Sequence, residues 1–493
     1  MVLETFELLV ILVLPLLTAL LLTLFRERLV RVAGWLAGGA AALSLGTVLA
    51  LIPALLHGAD PALKLAWAPT AGIVMALHLD WLALPFLLTE ASVTLLAIVY
   101  AWGYHHADAR TPYFYALLLV FATGMTGTTL ADDMVLFYTF WELMLVASSV
   151  LILIWGDETP GGPKKTTVVL KYFIFTHLGS LLVLVSLIML YNAAGDDSFS
   201  TLRQGVALPL SLIPVLITLF VIGFGVKMAI FPLHLWLPDA HTVAPMPVTI
   251  MLAAAMLSMG TYGILRFPMS LFSRADMQSF AVPLMAAGIV SELYGALMAL
   301  AERDLKRIIA YSSVSQMGYI LFGLGTLTHN GVSGATLHVI YHAIVKALLF
   351  MVVGLVIHAT GKRRLEDLGG LARAMPVTAV CAAVGALAMA GMPPLCLFDS
   401  EWLIFAGGFE TPYAALSVAA VFGSLLTVAY SLWFVGRVFL GPRPEGLVVG
   451  KRPWAMLAPA VFLALLAIIE GVFPAPLFDL VARELALLLG GQW

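Results

Sequence analysis

Six ionisable side chains stand inside apolar runs of this 493-residue sequence: Glu142, Lys227, His338, His342, Lys346 and Glu401. Lys227 opens the run Lys-Met-Ala-Ile-Phe-Pro-Leu-His-Leu-Trp-Leu-Pro-Asp-Ala-His, which also carries His234. Pro232 lies five residues beyond Lys227 and, lacking a backbone donor, must break or kink the helix. Glu142 sits in Phe-Trp-Glu-Leu-Met, and Glu401 follows the pair Pro393-Pro394. His338, His342 and Lys346 recur every four residues and so share one face of a helix. A charge at the centre of a bilayer costs roughly 2.5–3.5 kcal/mol on insertion scales, so such groups need partners or a wet cavity. Lysine, glutamate and histidine together suit proton transfer. Desolvation disfavours a lysine's charge, a nearby carboxylate restores it, and moving that carboxylate or its proton switches the lysine between the two. Histidine titrates near neutrality without tuning.

Plainer readings stand beside these. A glutamate or lysine near a helix end can snorkel to the interface, and Asp399 and Ser400 could mark a loop around Glu401. The His338/His342 spacing also suits a metal, but Lys346 on the same face would repel a cation. A packing role is the other alternative for these histidines. Tyr311, Ser312, Ser315, Gln316 and Tyr319 form a polar stripe that ordinary helix association would explain. Glu90 and Glu292 also fall within apolar runs, where contact with a neighbouring subunit or an unrecognised polar cavity would account for them.

The elements that must hold these groups are membrane helices. The chain is 62% hydrophobic and only 11% charged, whereas a soluble domain carries about 25% charged residues. A net charge of −3 gives no reason to expect a nucleic-acid partner. Cys381 and Cys396, the two cysteines, lie in apolar segments and predict neither a disulfide framework nor a thiolate metal site. No phosphate-binding, haem or iron–sulfur motif is present, so the sequence predicts no cofactor, metal or catalytic centre in this chain.

Apolar windows of spanning length predict about fourteen transmembrane helices: 8–25, 32–56, 77–102, 113–131, 133–155, 167–193, 211–237, 245–268, 280–301, 307–327, 333–358, 375–407, 414–440 and 454–474. The weakest division is at Ala131-Asp132-Asp133. Of the 25 Lys and Arg residues, eighteen fall in loops after odd-numbered spans and five after even-numbered ones. Basic loops stay cytoplasmic, which predicts both termini on the outer side.

Three motifs then carry a resemblance: Phe231 to His241, Thr261 to Phe267, and Asp304 to Gly318 (Asp-Leu-Lys-Arg-Ile-Ile-Ala-Tyr-Ser-Ser-Val-Ser-Gln-Met-Gly). Between residues 80 and 430 the chain resembles the antiporter-like subunits of respiratory complex I, membrane-bound hydrogenases and multisubunit sodium/proton antiporters. The resemblance implies an all-α polytopic membrane protein with two inverted five-helix repeats, spans four to eight and nine to thirteen, each with one broken helix. It divides the chain into an N-terminal three-helix segment (1–110), a first proton-channel repeat (111–270), a second (271–440), and a C-terminal helix and tail (441–493). It assigns proton translocation to Glu142, Lys227, His234, His338, His342, Lys346 and Glu401. The glutamate at 401 and the short tail resemble the M-type subunit.

Two departures bear on that path. The family usually has lysine where this chain has Ser258, and often histidine where it has Gln316; neither is a practical proton carrier near neutral pH. The resemblance implies a proton-translocating subunit in an energy-transducing membrane, the prokaryotic plasma membrane, with other membrane-arm subunits as partners, protons or sodium as cargo, and redox chemistry elsewhere. The alternatives are a D-type subunit of a gradient-driven sodium/proton antiporter and a non-pumping membrane arm or anchor.

Overall fold

The computed structural model describes residues 2–68, 73–105, 107–158, 163–203, 205 and 208–488. The chain forms a helical bundle. Its first half comprises α1 (Val2–Leu24), α2 (Ala33–Leu56), a hairpin of β1 (Ala62–Ala68) and β2 (Ile73–His78), α3 (Ala83–Tyr104), α4 (Thr111–Leu130), α5 (Met134–Trp155), α6 (Lys165–Ala194), α7 (Ile213–Met228), α8 (Leu237–Val243) and α9 (Met246–Leu271). The second half comprises α10 (Arg274–Ala301), α11 (Leu305–Gly325), α12 (His329–Thr360), α13 (Pro376–Met389), α14 (Cys396–Phe409), α15 (Ala414–Leu440), α16 (Trp454–Val472) and α17 (Ala475–Leu488).

Among the described residues twelve helices are long and apolar enough to cross a membrane. The expected seventh and twelfth spans are not continuous: each is a pair of shorter helices, α7 with α8 and α13 with α14, around a break at the anticipated prolines. The third span begins at Ala83 rather than 77, because Ile73–His78 pairs antiparallel with Ala62–Ala68. Asp80 then accepts the Ala83 backbone N–H at 2.9 Å, supplying a partner for one of the free donors of the first turn of α3. The division at Ala131-Asp132-Asp133 is an extended link. Asp133 caps α5 by accepting from the Leu136 N–H at 2.7 Å, and Asp132 accepts from the Ser200 N–H at 2.9 Å. Both carboxylates are therefore consumed in turning the chain.

The layers follow from composition. Helices α9 and α11 are wholly buried and α12 is 94% buried over its apolar window, whereas α1, α2, α15 and α16 bury only a third of theirs. The outer helices turn leucine, valine and phenylalanine outward, as a lipid-facing surface requires. Close approach in the second half depends on glycine. A Cβ on Gly288 of α10 would lie 2.5 Å from the Phe322 nitrogen, and one on Gly318 of α11 would lie 2.4 Å from the Glu292 nitrogen. The two backbones thus touch through small residues, a common membrane packing mode, and this contact carries Glu292 into the interior.

Candidate functional site

The first broken helix positions the first buried charge. Helix α7 ends at Met228, and Ala229 closes it in a left-handed conformation, φ +57°, unusual for a residue with a Cβ. The freed Val226 carbonyl accepts from Trp236 Nε1 at 2.9 Å, so the break is internally satisfied. Lys227 in the last turn is 3% exposed, and its ammonium has no hydrogen-bond partner among the described residues. It lies 4.9 Å from the centroid of the Trp141 ring, within cation–π range. Glu142, the next residue of α5, is the carboxylate whose charge acts on Lys227. Its Oε2 is 3.1 Å from His177 Nδ1 on α6, with Glu142 21% and His177 38% exposed.

His234 lies in the break between α7 and α8. It is 1% exposed, with Phe231, Tyr294 and Tyr311 around the ring and neither nitrogen bonded to a described residue. Helix α8 is pinned at Asp239, which accepts from Lys171 of α6 and Arg307 of α11, both at 2.8 Å. Further along α8, His241 is fully buried, stacks on Phe350 at 5.1 Å, and likewise has both ring nitrogens unpartnered among the described residues.

Helix α12 carries the middle of the site through the centre of the bundle. Lys346 donates to the Ile309 carbonyl at 3.2 Å and to the Ser312 hydroxyl; among the described residues no carboxylate bonds it. One turn earlier is His342, 1% exposed, with Nε2 unpartnered among the described residues. One more turn back, His338 has Nε2 2.8 Å from Gln316 Oε1 and Nδ1 3.0 Å from Ser400 Oγ. Gln316, the anticipated weak point, is thus a direct partner of His338, and Ser400 belongs to α14 rather than to a loop. Ser258 follows a π-helical turn, Leu252–Met256, and returns its hydroxyl to the Ala255 carbonyl at 2.5 Å.

The second break holds the last group. Glu401, beside Ser400, is 6% exposed, and its Oε2 lies so close to Gly391 that a Cβ there would be 2.2 Å away. Gly391 itself has φ +63°, a conformation glycine adopts freely. Glu292 of α10 is fully buried with both carboxylate oxygens unpartnered among the described residues, near enough to Glu401 for their charges to interact. The second break is therefore faced by a pair of carboxylates, Glu292 and Glu401. Glu90, the other acid left without a role, accepts from Thr129 Oγ1 at 2.6 Å, tying α3 to α4.

Three groups escaped the sequence reading. His177 is a lone histidine in an apolar span, a weak signal. His241 lay in a quoted motif without an assigned role. Lys306 was counted with the loops, yet it is 3% exposed and donates to the Ala244 carbonyl at 2.8 Å. It lines a cavity of about 210 Å³ together with Tyr104, Asp157, Glu158 and Arg363. Only the pairing of Lys306 with Arg307 at a helix start, both inside a long motif, hinted that it does more than mark a loop.

These features define a polytopic membrane protein with two broken helices and buried charges spread through the bundle. Residues 131–427 match the family described as NADH:quinone oxidoreductase/Mrp antiporter, transmembrane, and the chain belongs to that family of antiporter-like membrane subunits. It is 36% identical over 421 residues to NAD(P)H-quinone oxidoreductase chain 4 1 of Synechococcus sp. (strain JA-2-3B'a(2-13)), covering 83% of this chain and 78% of that one. Its fold matches a chain of the membrane-bound sulfane sulfur reductase, an archaeal respiratory membrane complex, with TM-score 0.85 and 31% identity over 97% of this chain and 77% of that one. It also matches a chain of respiratory complex I from Thermus thermophilus with TM-score 0.85 and 26% identity, over 98% and 99% of the two chains. These structural neighbours are subunits of multisubunit membrane complexes.

Proposed function

We propose that this chain translocates protons across an energy-transducing membrane as an M-type, antiporter-like subunit of a complex-I-like assembly, with redox chemistry in its partner subunits. The observation that carries the reading is Lys227: a buried ammonium without a hydrogen-bond partner among the described residues, at the end of a broken helix, beside a carboxylate that is held by a half-exposed histidine. Glu142 tunes Lys227, which takes up a proton from the cytoplasmic side. Lys346, His342 and His338 pass it along α12, and Ser400 connects that helix to Glu401, which releases it outward. His234 lines the first break. The cavity beside Lys306 supplies a cytoplasmic inlet. The two breaks anchor two repeats, 111–270 and 271–440, flanked by segments 1–110 and 441–493. Fourteen crossings with both termini outside the prokaryotic plasma membrane fit the charge asymmetry of the loops.

The test is Lys227→Ala in the intact complex, purified from its native membrane and reconstituted. Loss of proton transport coupled to turnover is expected, with assembly retained; unchanged coupling would sink the assignment. The family also covers Mrp antiporters, which supports a second reading, a D-type subunit driven by an ion gradient. Co-purified flavin, iron–sulfur or nickel–iron subunits favour the first reading; small hydrophobic antiporter subunits alone favour the second.

A further inference from the structure

An apolar groove lies away from the buried charges. It has a volume of about 1030 Å³ and runs between α1, α4 and α5. Along α1 its wall is Leu16, Ala19, Leu20 and Thr23, ending at Arg26; α4 contributes Leu117 and Val120 below Tyr113 and Arg110. The polar groups gather at one end. Arg26 Nη1 donates to the Tyr113 hydroxyl at 2.8 Å, and the guanidinium lies 5.4 Å from the centre of that ring. The tyrosine therefore fixes one arginine at the mouth while four of its five N–H donors stay available. Arg110 lines the same mouth, and among the described residues no acidic one lines the groove.

The dimensions indicate what fills it. From Leu16 to the end of α1 at Leu24 the wall spans eight residues of helix, about 12 Å at 1.5 Å per residue, with Arg26 just past that end. The hydrocarbon core of a bilayer is about 30 Å thick, so the groove reaches through most of one leaflet. Two cationic groups at the interface above an apolar slot of that depth complement a lipid with an anionic head. The mouth also falls on the side where basic residues concentrate (Arg26, Arg28, Arg31, Arg110), the leaflet side on which basic pockets between helices bind anionic headgroups.

We propose that this groove is a binding site for one anionic phospholipid, its phosphate held by Arg26 and Arg110 and an acyl chain lying against Leu16, Leu20 and Leu117. The rival occupant is a helix of a neighbouring subunit.

The test uses the whole complex, extracted in mild detergent and exchanged into phosphatidylcholine nanodiscs containing a small fraction of deuterated phosphatidylglycerol, with tightly bound lipid counted by native mass spectrometry. The wild type should retain deuterated phosphatidylglycerol, and the Arg26→Ala/Arg110→Ala variant should retain at least about tenfold less, as expected for loss of one charge-assisted contact. Equal retention by both overturns the site. Leu20→Trp, which keeps both arginines and fills the slot, serves if the double variant does not assemble: it should also lose the lipid, and retention overturns the site. A photo-crosslinker at Leu117 should capture lipid; capture of a subunit overturns the proposal in favour of the helix. None of these outcomes depends on proton transport.

Discussion

The ammonium of Lys227 lies 4.9 Å from the ring centroid of Trp141, and the residue after that tryptophan is Glu142, the carboxylate acting on Lys227. One turn of α5 thus offers the lysine both an aromatic face and a charge, at different distances. The aromatic face holds the cation without accepting a proton. In the proposed function Glu142 tunes the lysine, and its Oε2 is 3.1 Å from His177 Nδ1. His177→Ala releases Glu142 without touching Lys227. A contact this exposed contributes only about 0–1 kcal/mol, so coupled proton transport should fall by up to about fivefold, whereas Lys227→Ala should abolish it. Proton-to-turnover ratios in proteoliposomes separate the two. An effect of His177→Ala as complete as that of Lys227→Ala would contradict the tuning role.

Gly391 and Glu401 make a second, sharper prediction. A methyl group at 391 would lie 2.2 Å from Glu401 Oε2, so Gly391→Ala must displace the carboxylate. It must also force alanine into φ +63°, at a cost of about 1–2 kcal/mol. Proton release should slow at least about tenfold, equivalent to about 1.4 kcal/mol, with a modest loss of thermal stability. Stopped-flow measurement of proton appearance outside the vesicle, alongside a melting curve, checks both. Normal release at lowered stability would mean the position of Glu401 is immaterial.

Much of this was legible in the sequence because membrane burial makes charge conspicuous. Lys227, Lys346 and Glu401 stand out against apolar neighbours, and prolines announce both helix breaks. The hairpin was not legible: Ile73–His78 is apolar enough to pass for the start of a span, and only its pairing with β1 stops it. Lys306 was hidden for the opposite reason. A lysine beside an arginine at a helix start reads as a solvated loop until packing shows it buried. The partner of Gln316, His338, was not legible because sequence gives a residue's identity but not its neighbour across the bundle. Glu292 needed the Gly288–Phe322 contact, a relation between helices that neither helix encodes alone.

Just before α3, Asp80 joins three parts of the chain. It accepts from Arg266 at 2.5 and 2.8 Å and from Arg203 at 2.9 Å. Burial opposes its ionisation, but Arg266 foremost, with Arg203 and His78, outweighs burial and holds the carboxyl well below the usual carboxylate range. A folded-state value depressed in this way stabilises the protein at pH above the unfolded value of about 3.9, and the contribution is lost as pH falls through the folded value. Asp80→Asn should therefore lower thermal stability at pH 7, by about 3 kcal/mol if it behaves as the loss of one partner of a buried pair. The gap between variant and wild type should close only below about pH 4. Melting curves of the purified protein across pH check the sign; a gap that widens on acidification would contradict it.

Lys306, which lines the cavity of about 210 Å³, and His241 lie between that cavity and α12. The Lys306 ammonium rests on the Ala244 carbonyl at 2.8 Å and near that of Thr242 at 3.5 Å, the residues just after His241. The His241 ring stacks on Phe350, one turn of α12 beyond Lys346. This arrangement offers the central lysine a way in that does not require a titratable side chain at Ser258. Lys306→Met keeps the length of the side chain and removes its charge, so proton uptake should slow at least about tenfold, as expected for loss of a charged hydrogen bond. Lys306→Arg should recover most of the rate, because the guanidinium can still donate to both carbonyls. Uptake is read with a pH dye on the cytoplasmic side after a single turnover. If Lys306→Met takes up protons at the wild-type rate while Lys227→Ala does not, the inlet lies elsewhere and Lys306 serves only to tie α11 to the Thr242–Ala244 link.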